Sequence, residues 1–144
     1  MRVHRRANSK MTAGKTELPA RGHILRYVYL FKDEQAHGRD EGVKERFVAV
    51  VGFEGTRYRV AAITTKGERS ESTIALPPEV SRAAGLTSNS LIVVSEFNRF
   101  TWPGFDIRPL MNKPGFISGR LTPRFTNKII DEIVRRKAIA VDRD

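Results

Sequence analysis

Two short stretches hold residue types whose spacing suits chemistry on a charged substrate. Glu41-Gly-Val-Lys-Glu-Arg46 runs into Phe47-Val-Ala-Val-Val51, and Val60-Ala-Ala-Ile-Thr-Thr65 follows one hairpin turn later. Together they place a carboxylate, a guanidinium and a hydroxyl where neighbouring strands begin or end, a set suited to handling a phosphodiester. The guanidinium of Arg46 has five donors in a rigid fork and keeps its charge at neutral pH, so it suits bidentate stabilisation of a phosphate. Thr64, at a strand end, has a hydroxyl and a backbone N–H for the same group; read alone it is an ordinary β-branched strand residue. Glu41 is the candidate proton acceptor, although Asp33, Glu34, Asp40 and Glu45 stand in the same segment as possible solvating charge. His37 has the intrinsic pKa best placed for proton shuttling and is a rival acid or base. These carboxylates lack the fixed spacing of an octahedral cage, so no metal or other cofactor is expected.

The elements that must position these groups follow from hydrophobic patterning. Gly22 to Phe31 is a β-branched and aromatic run of strand length. Lys32 to Glu45 is polar and glycine-punctuated, and reads as a long exposed loop. Phe47 to Phe53 and Arg57 to Thr64 read as a hairpin about the turn Glu54-Gly-Thr56. A short strand over Thr73 to Leu76 precedes a helix bracketed by Pro77-Pro78 and Gly85. Leu91 to Glu96 is a further strand, extending toward Phe100. Ile107 to Leu110 and Phe116-Ile117 are expected to pair as small edge strands. Thr122 and Pro123 then open a helix on which Phe125, Ile129, Ile133 and Val134 recur at helical spacing. The expectation is a mainly β fold with short helices, forming a small, partly open β-barrel or a curled sheet, with a terminal amphipathic helix packed on it.

Bulk composition limits what surrounds that core. At 144 residues and 16.3 kDa, the chain has the material for one compact domain. It contains no cysteine, which excludes disulfides and zinc–thiolate sites and fits a reducing, cytoplasmic setting. No apolar run reaches membrane-spanning length, and no signal-peptide pattern is present. The net charge of +10 is uneven: residues 1–22 carry six basic side chains against Glu17, and residues 120–144 carry seven against four acids. The division expected is a disordered basic arm over 1–20, one domain over 21–138 and a short tail over 139–144, with Met11 as an alternative start. Within the domain, Arg57 and Arg59 alternate with Tyr58 and Val60, as on a strand with one wet face. They are candidates for tracking a nucleic-acid backbone, or they solubilise the hairpin. Phe100, Trp102 and Phe105 interleave with Arg99 and Arg108, a composition that stacks unpaired bases or packs a core around a Trp-Pro-Gly turn.

The order of these segments resembles the PemK/MazF toxins of toxin–antitoxin systems over residues 21–137. The features that carry the resemblance are the loop ending in a carboxylate, Arg46-Phe-Val-Ala-Val-Val51, the strand end Ala61-Ala-Ile-Thr64, Ile74-Ala-Leu-Pro77 and the Val94-Ser-Glu96 strand. Arg26 to Tyr29, Gly38 to Gly42 and Phe100 to Gly104 match one branch of the family. The resemblance implies an SH3-like barrel that dimerises, cleaves single-stranded RNA at short motifs without a metal, arrests growth, and is silenced by an antitoxin with an acidic disordered segment. It places the family's arginine on Arg46, its threonine on Thr64 and its acidic loop residue on Glu41. Where the family usually has proline after that arginine, this chain has Phe47. Two alternatives share the resemblance: an RNA-binding module without cleavage, and a gyrase-binding toxin. The latter uses an exposed aromatic C-terminal tip, whereas this chain ends Ala138-Ile-Ala-Val-Asp-Arg-Asp144.

Overall fold

The computed structural model describes residues 17–36, 44–65 and 72–144. Glu41 and His37 lie outside the described residues. The strands are β1 (His23–Tyr29), β2 (Lys44–Glu54), β3 (Arg57–Thr65), β4 (Thr73–Ala75), β5 (Ser90–Val93), β6 (Glu96–Thr101), β7 (Ile107–Arg108), β8 (Ile117–Arg120) and β9 (Ile139–Asp142). Three helices are described: α1 (Lys32–Ala36), α2 (Pro78–Ala83) and α3 (Pro123–Arg135). The fold is mainly β, as the patterning predicts. Among the described residues no helix is long and apolar enough to cross a membrane.

All nine strands join one sheet, antiparallel except for β9, which runs parallel to β6. Its main path runs β4-β5-β3-β2-β1-β7, with β6 on β3 and β8 on β1. The expected barrel is not formed: the ends of this path, β4 and β7, are not hydrogen-bonded to each other, and the sheet stays open. Side chains do part of the work that a closing ladder would do. Beyond the end of β1, the Leu30 N–H donates to Asn98 Oδ1 at 2.9 Å, and Asn98 Nδ2 donates to the Leu30 carbonyl at 2.7 Å. Nearby, Glu96 Oε1 accepts from the Tyr29 hydroxyl at 3.3 Å and from the Lys32 N–H at 3.0 Å. Asn98 is wholly buried and Glu96 nearly so, so β6 is held to the end of β1 through a polar bridge inside the curl.

Both sheet faces carry a core. On one, Ile24, Ala49, Val51, Ala61 and Ile63 meet α2 and α3 through Val80, Phe125, Ile129 and Ile133. On the other, inside the curl, Leu25, Tyr27, Tyr29, Phe31, Val48, Tyr58, Val60 and Phe100 pack on one another. Tyr27 stacks on Phe100 at 5.0 Å. The alternation within β1, with Ile24 on one face and Leu25, Tyr27 and Tyr29 on the other, is the period-2 geometry of a strand buried on both sides. The close approach of β8 to the end of α2 requires Gly119, where a Cβ would come within 2.4 Å of the Ala84 carbonyl oxygen.

Several expectations change. The first five residues of the polar loop form α1, whose entry is fixed by the Phe31 N–H donating to Glu34 Oε1 at 3.1 Å; a helix this short leaves no readable period. The long strand after Leu91 is two strands broken at Val94-Ser95, because β5 follows the distal half of β3 and β6 its proximal half. β7 and β8 pair with β1 and not with each other. Val134 is 69% exposed and falls off the buried face of α3. The segment expected as a short tail contains β9, with Val141 buried. Within residues 17–20, the Pro19 carbonyl accepts from the buried Tyr58 hydroxyl at 2.7 Å.

Candidate active site

The site arises where two strands part company. Val48 opposite Ala62 is the last pair of the β2–β3 ladder on this side. Beyond it, Phe47 to Lys44 remain paired with β1, while Ile63 to Thr65 turn to pair with β5. Arg46 lies two residues before Val48 and Thr64 two after Ala62, so strand periodicity starts both side chains on the same face of the hairpin. The gap between the departing strands is a cleft of about 300 Å3 lined by both residues, together with Arg26, Lys44, Glu45 and Phe47. The loop after α2 completes it with Gly85, Leu86 and Thr87, and Ser90 opens β5 on the same wall.

Arg46 is partly buried, and its guanidinium carbon sits 5.1 Å from the centre of the Phe31 ring. This cation–π contact supports the side chain from beneath. Thr64 is only 3% exposed, at the inner wall. Arg26 points to Glu45: its Nε donates to Oε2 at 2.5 Å, and its Nη1 donates to the Pro109 carbonyl at 3.1 Å. That pairing neutralises one guanidinium of the cleft wall. The outer loop is braced by its own polar groups, with Ser90 Oγ donating to the Thr87 carbonyl at 2.8 Å and Thr87 Oγ1 to Asn89 Oδ1 at 2.7 Å. A guanidinium and a hydroxyl lining one cleft are groups of the kind that bind a phosphate.

The remaining predicted residues lie elsewhere. Thr64 and Arg57 are seven positions apart on β3, which separates them by about 23 Å of extended strand. Arg57 is held by the last residues of the chain: Nη2 donates to Asp142 Oδ1 at 2.9 Å, Nη1 donates to Thr101 Oγ1 at 3.2 Å, and Nη1 also contacts Asp144. Arg99 grips Asp142 with Nε at 2.6 Å and Nη2 at 3.0 Å. Hydrogen bonds from Arg99, with help from Arg57, hold the Asp142 carboxyl below its ordinary value. Arg59 is exposed and lines a separate cleft beside Phe97 and α3. Arg108 Nη1 donates to the Phe105 carbonyl at 2.7 Å. Trp102 is half-buried, 5.5 Å from Phe116 edge to face and 5.8 Å from Tyr58, so it packs on the inner core while keeping part of its surface exposed.

Arg46 and Thr64 are therefore brought together, and Arg57, Arg99, Trp102 and Arg108 are not part of their cleft. Sequence reasoning missed Arg26, Lys44, Thr87 and Ser90 as cleft residues. Arg26 and Lys44 carried a signal, since both flank the Arg46 segment on paired strands; Thr87 and Ser90 carried none. Among the described residues no three His, Asp or Glu side chains gather as a metal site. Compared with known proteins, the chain matches no family model, and no curated protein is significantly similar to it.

Proposed function

We propose that the protein is an endoribonuclease of the toxin type, cutting single-stranded RNA at short motifs by attack of the RNA's own 2'-hydroxyl. The observation that supports this reading is the meeting of Arg46 and Thr64 in one cleft at the splay of β2 and β3. In that reaction the 2'-oxygen bonds to phosphorus and loses its proton to a base, and the bond from phosphorus to the 5'-oxygen breaks. That oxygen leaves with a proton, giving a cyclic phosphate and a 5'-hydroxyl end. Arg46 supplies charge to the non-bridging oxygens as they gain electron density. Thr64 donates to the same phosphate. The base is Glu41 or His37, on the segment that leads into β2, and the fold is an opened form of the SH3-like barrel.

The same reading includes a homodimer and an antitoxin whose acidic segment covers the basic cleft and competes with RNA by charge. It needs no metal, because Arg46 does the electrostatic work. The test is incubation of wild-type and Arg46→Ala protein with a long unstructured RNA in EDTA, mapping new ends by primer extension. Discrete cuts with 5'-hydroxyl ends, absent from the variant, are expected. RNA that is bound but left intact by the wild-type protein would overturn the cleavage reading in favour of a binding module.

A further inference from the structure

Tyr27 stands between Arg46 on β2 and Ile107 on β7 in the sheet register. It forms the floor of a second cleft, of about 440 Å3, lined also by Phe100, Trp102, Phe105, Asp106 and Arg143. Volume and lining are those of a small-molecule site: mostly aromatic walls with a few convergent polar groups. Phe105 is 98% exposed at the rim, a position from which nothing in the core holds it. Arg143 is nearly buried and already oriented, with Nη2 donating to Asp106 Oδ2 at 2.8 Å and Nε to the same oxygen at 3.2 Å.

One atom in this cleft points to a ligand. The Tyr27 hydroxyl is buried; the Arg143 guanidinium, which can only donate, approaches its oxygen, and its own O–H proton has no acceptor among the described residues. Burial pushes its pKa upward, so it remains a protonated donor, and the charges acting on it, Arg143, Asp106 and Asp144, all line this same cleft. A buried hydroxyl proton left without an acceptor is costly and uncommon in native structures. An aliphatic ligand would leave it so. A phosphate would meet the carboxylates of Asp106 and Asp144 beside the single guanidinium. A flat, neutral ring with donors and acceptors along one edge meets every requirement, with faces for the aromatic walls and an edge for the hydroxyl and the ion pair.

We propose that this cleft receives one unpaired nucleobase, stacked on Trp102 and Phe105 with its hydrogen-bonding edge toward the Tyr27 hydroxyl and the Arg143–Asp106 pair. The proposal rests on the ribonuclease reading in one respect, that RNA supplies the base. The site would then give the enzyme a base preference near the cleavage point, since Tyr27 and Arg46 are cross-strand neighbours.

Trp102 is the only tryptophan and reports on its own cleft. The test titrates the full chain with adenosine, guanosine, cytidine and uridine, and with ribose 5-phosphate as control, following Trp102 emission excited at its red edge. Saturable change with at least one nucleoside and none with ribose 5-phosphate is expected. Phe105→Ala should weaken that affinity roughly tenfold by loss of stacking. Tyr27→Phe should weaken it roughly fivefold while melting no lower than wild type, because it removes an unsatisfied donor. Arg46→Ala should bind the nucleoside as wild type does, while losing RNA cleavage. No response to any nucleoside from a protein that cuts RNA would overturn the base site alone. A response equal in wild type, Phe105→Ala and Tyr27→Phe would also overturn it. Nucleoside binding by a wild-type protein that leaves RNA intact would uphold the base site and sink the nuclease.

Discussion

At the scale of single residues, Arg46 and Thr64 make different demands on a substituted side chain. In the proposed reaction, Arg46→Lys keeps the charge but loses the planar fork that would hold two non-bridging oxygens in one geometry. Cleavage by Arg46→Ala should fall by about 100- to 1,000-fold, the usual loss when one stabiliser of developing negative charge is removed. Arg46→Lys should recover only part of it; a lysine variant with full kcat would show that charge alone suffices. Thr64 is almost fully buried, so its two truncations separate packing from chemistry. Thr64→Val preserves the β-branched shape and removes the hydroxyl. Single-turnover cleavage should drop in Thr64→Val while its melting temperature stays close to wild type. Equal activity would reduce Thr64 to a wall of the cleft.

Elements are held here by a few polar contacts of high leverage. Asn98 satisfies both the N–H and the carbonyl of Leu30, and does so where the sheet lacks a ladder. Asn98→Ala leaves two buried backbone groups without those bonds and should cost about 2–4 kcal/mol in denaturant unfolding. Asn98→Asp retains only the acceptor and adds a buried charge, and should fare no better. On α3, Thr122 Oγ1 accepts from the Phe125 N–H at 3.2 Å, with Pro123 at the first helical position. Thr122→Ala should cost about 1 kcal/mol, the ordinary loss of an N-cap, whereas Thr122→Ser should be nearly silent. If Asn98→Ala proved as mild as Thr122→Ala, the bridge between β6 and the end of β1 would not be what holds the curl.

Across the whole molecule, charge decides behaviour in acid. The net charge of +10 means self-repulsion rises as carboxylates protonate. Arg135 and Arg136 hold Glu132 down to about 2, and Asp142 and Asp144 are lowered as well, Asp144 despite burial acting in the other direction. A carboxylate with a depressed folded-state pKa adds stability that is complete above its unfolded value, near 4, and is lost as pH falls through the folded one. Wild type should therefore lose melting temperature steadily from about pH 4 to pH 2. Asp142→Asn should melt lower than wild type at neutral pH, by a modest margin because the pair is solvent-exposed. The two curves should converge as the pH falls through the lowered folded-state value of Asp142. A constant gap across that range would mean that Asp142 acts by packing β9 and not by its charge.

Local signals determined much of this protein. The two-sided apolar runs of β1 and β3, the turn Glu54-Gly-Thr56, the Thr122-Pro123 cap and the Phe125, Ile129, Ile133 stripe are written in nearest-neighbour chemistry, because their partners lie within a turn or a strand's width. The pairing of Arg46 with Thr64 was expected from family resemblance and from strand ends; parity about Val48 and Ala62 places them on one face. Other features depended on contacts between distant parts of the chain. Whether the sheet closes depends on its two edges meeting, and no local pattern at β4 or β7 encodes that. The Asn98–Leu30 bridge joins positions 68 residues apart, and the capture of Arg57 and Arg99 by Asp142 depends on β9 finding the edge of β6. The Tyr27 O–H proton without an acceptor belongs to the same class. Sequence marks a tyrosine in an apolar strand as core, and only packing in three dimensions determines whether its polar tip finds a partner or faces a cleft.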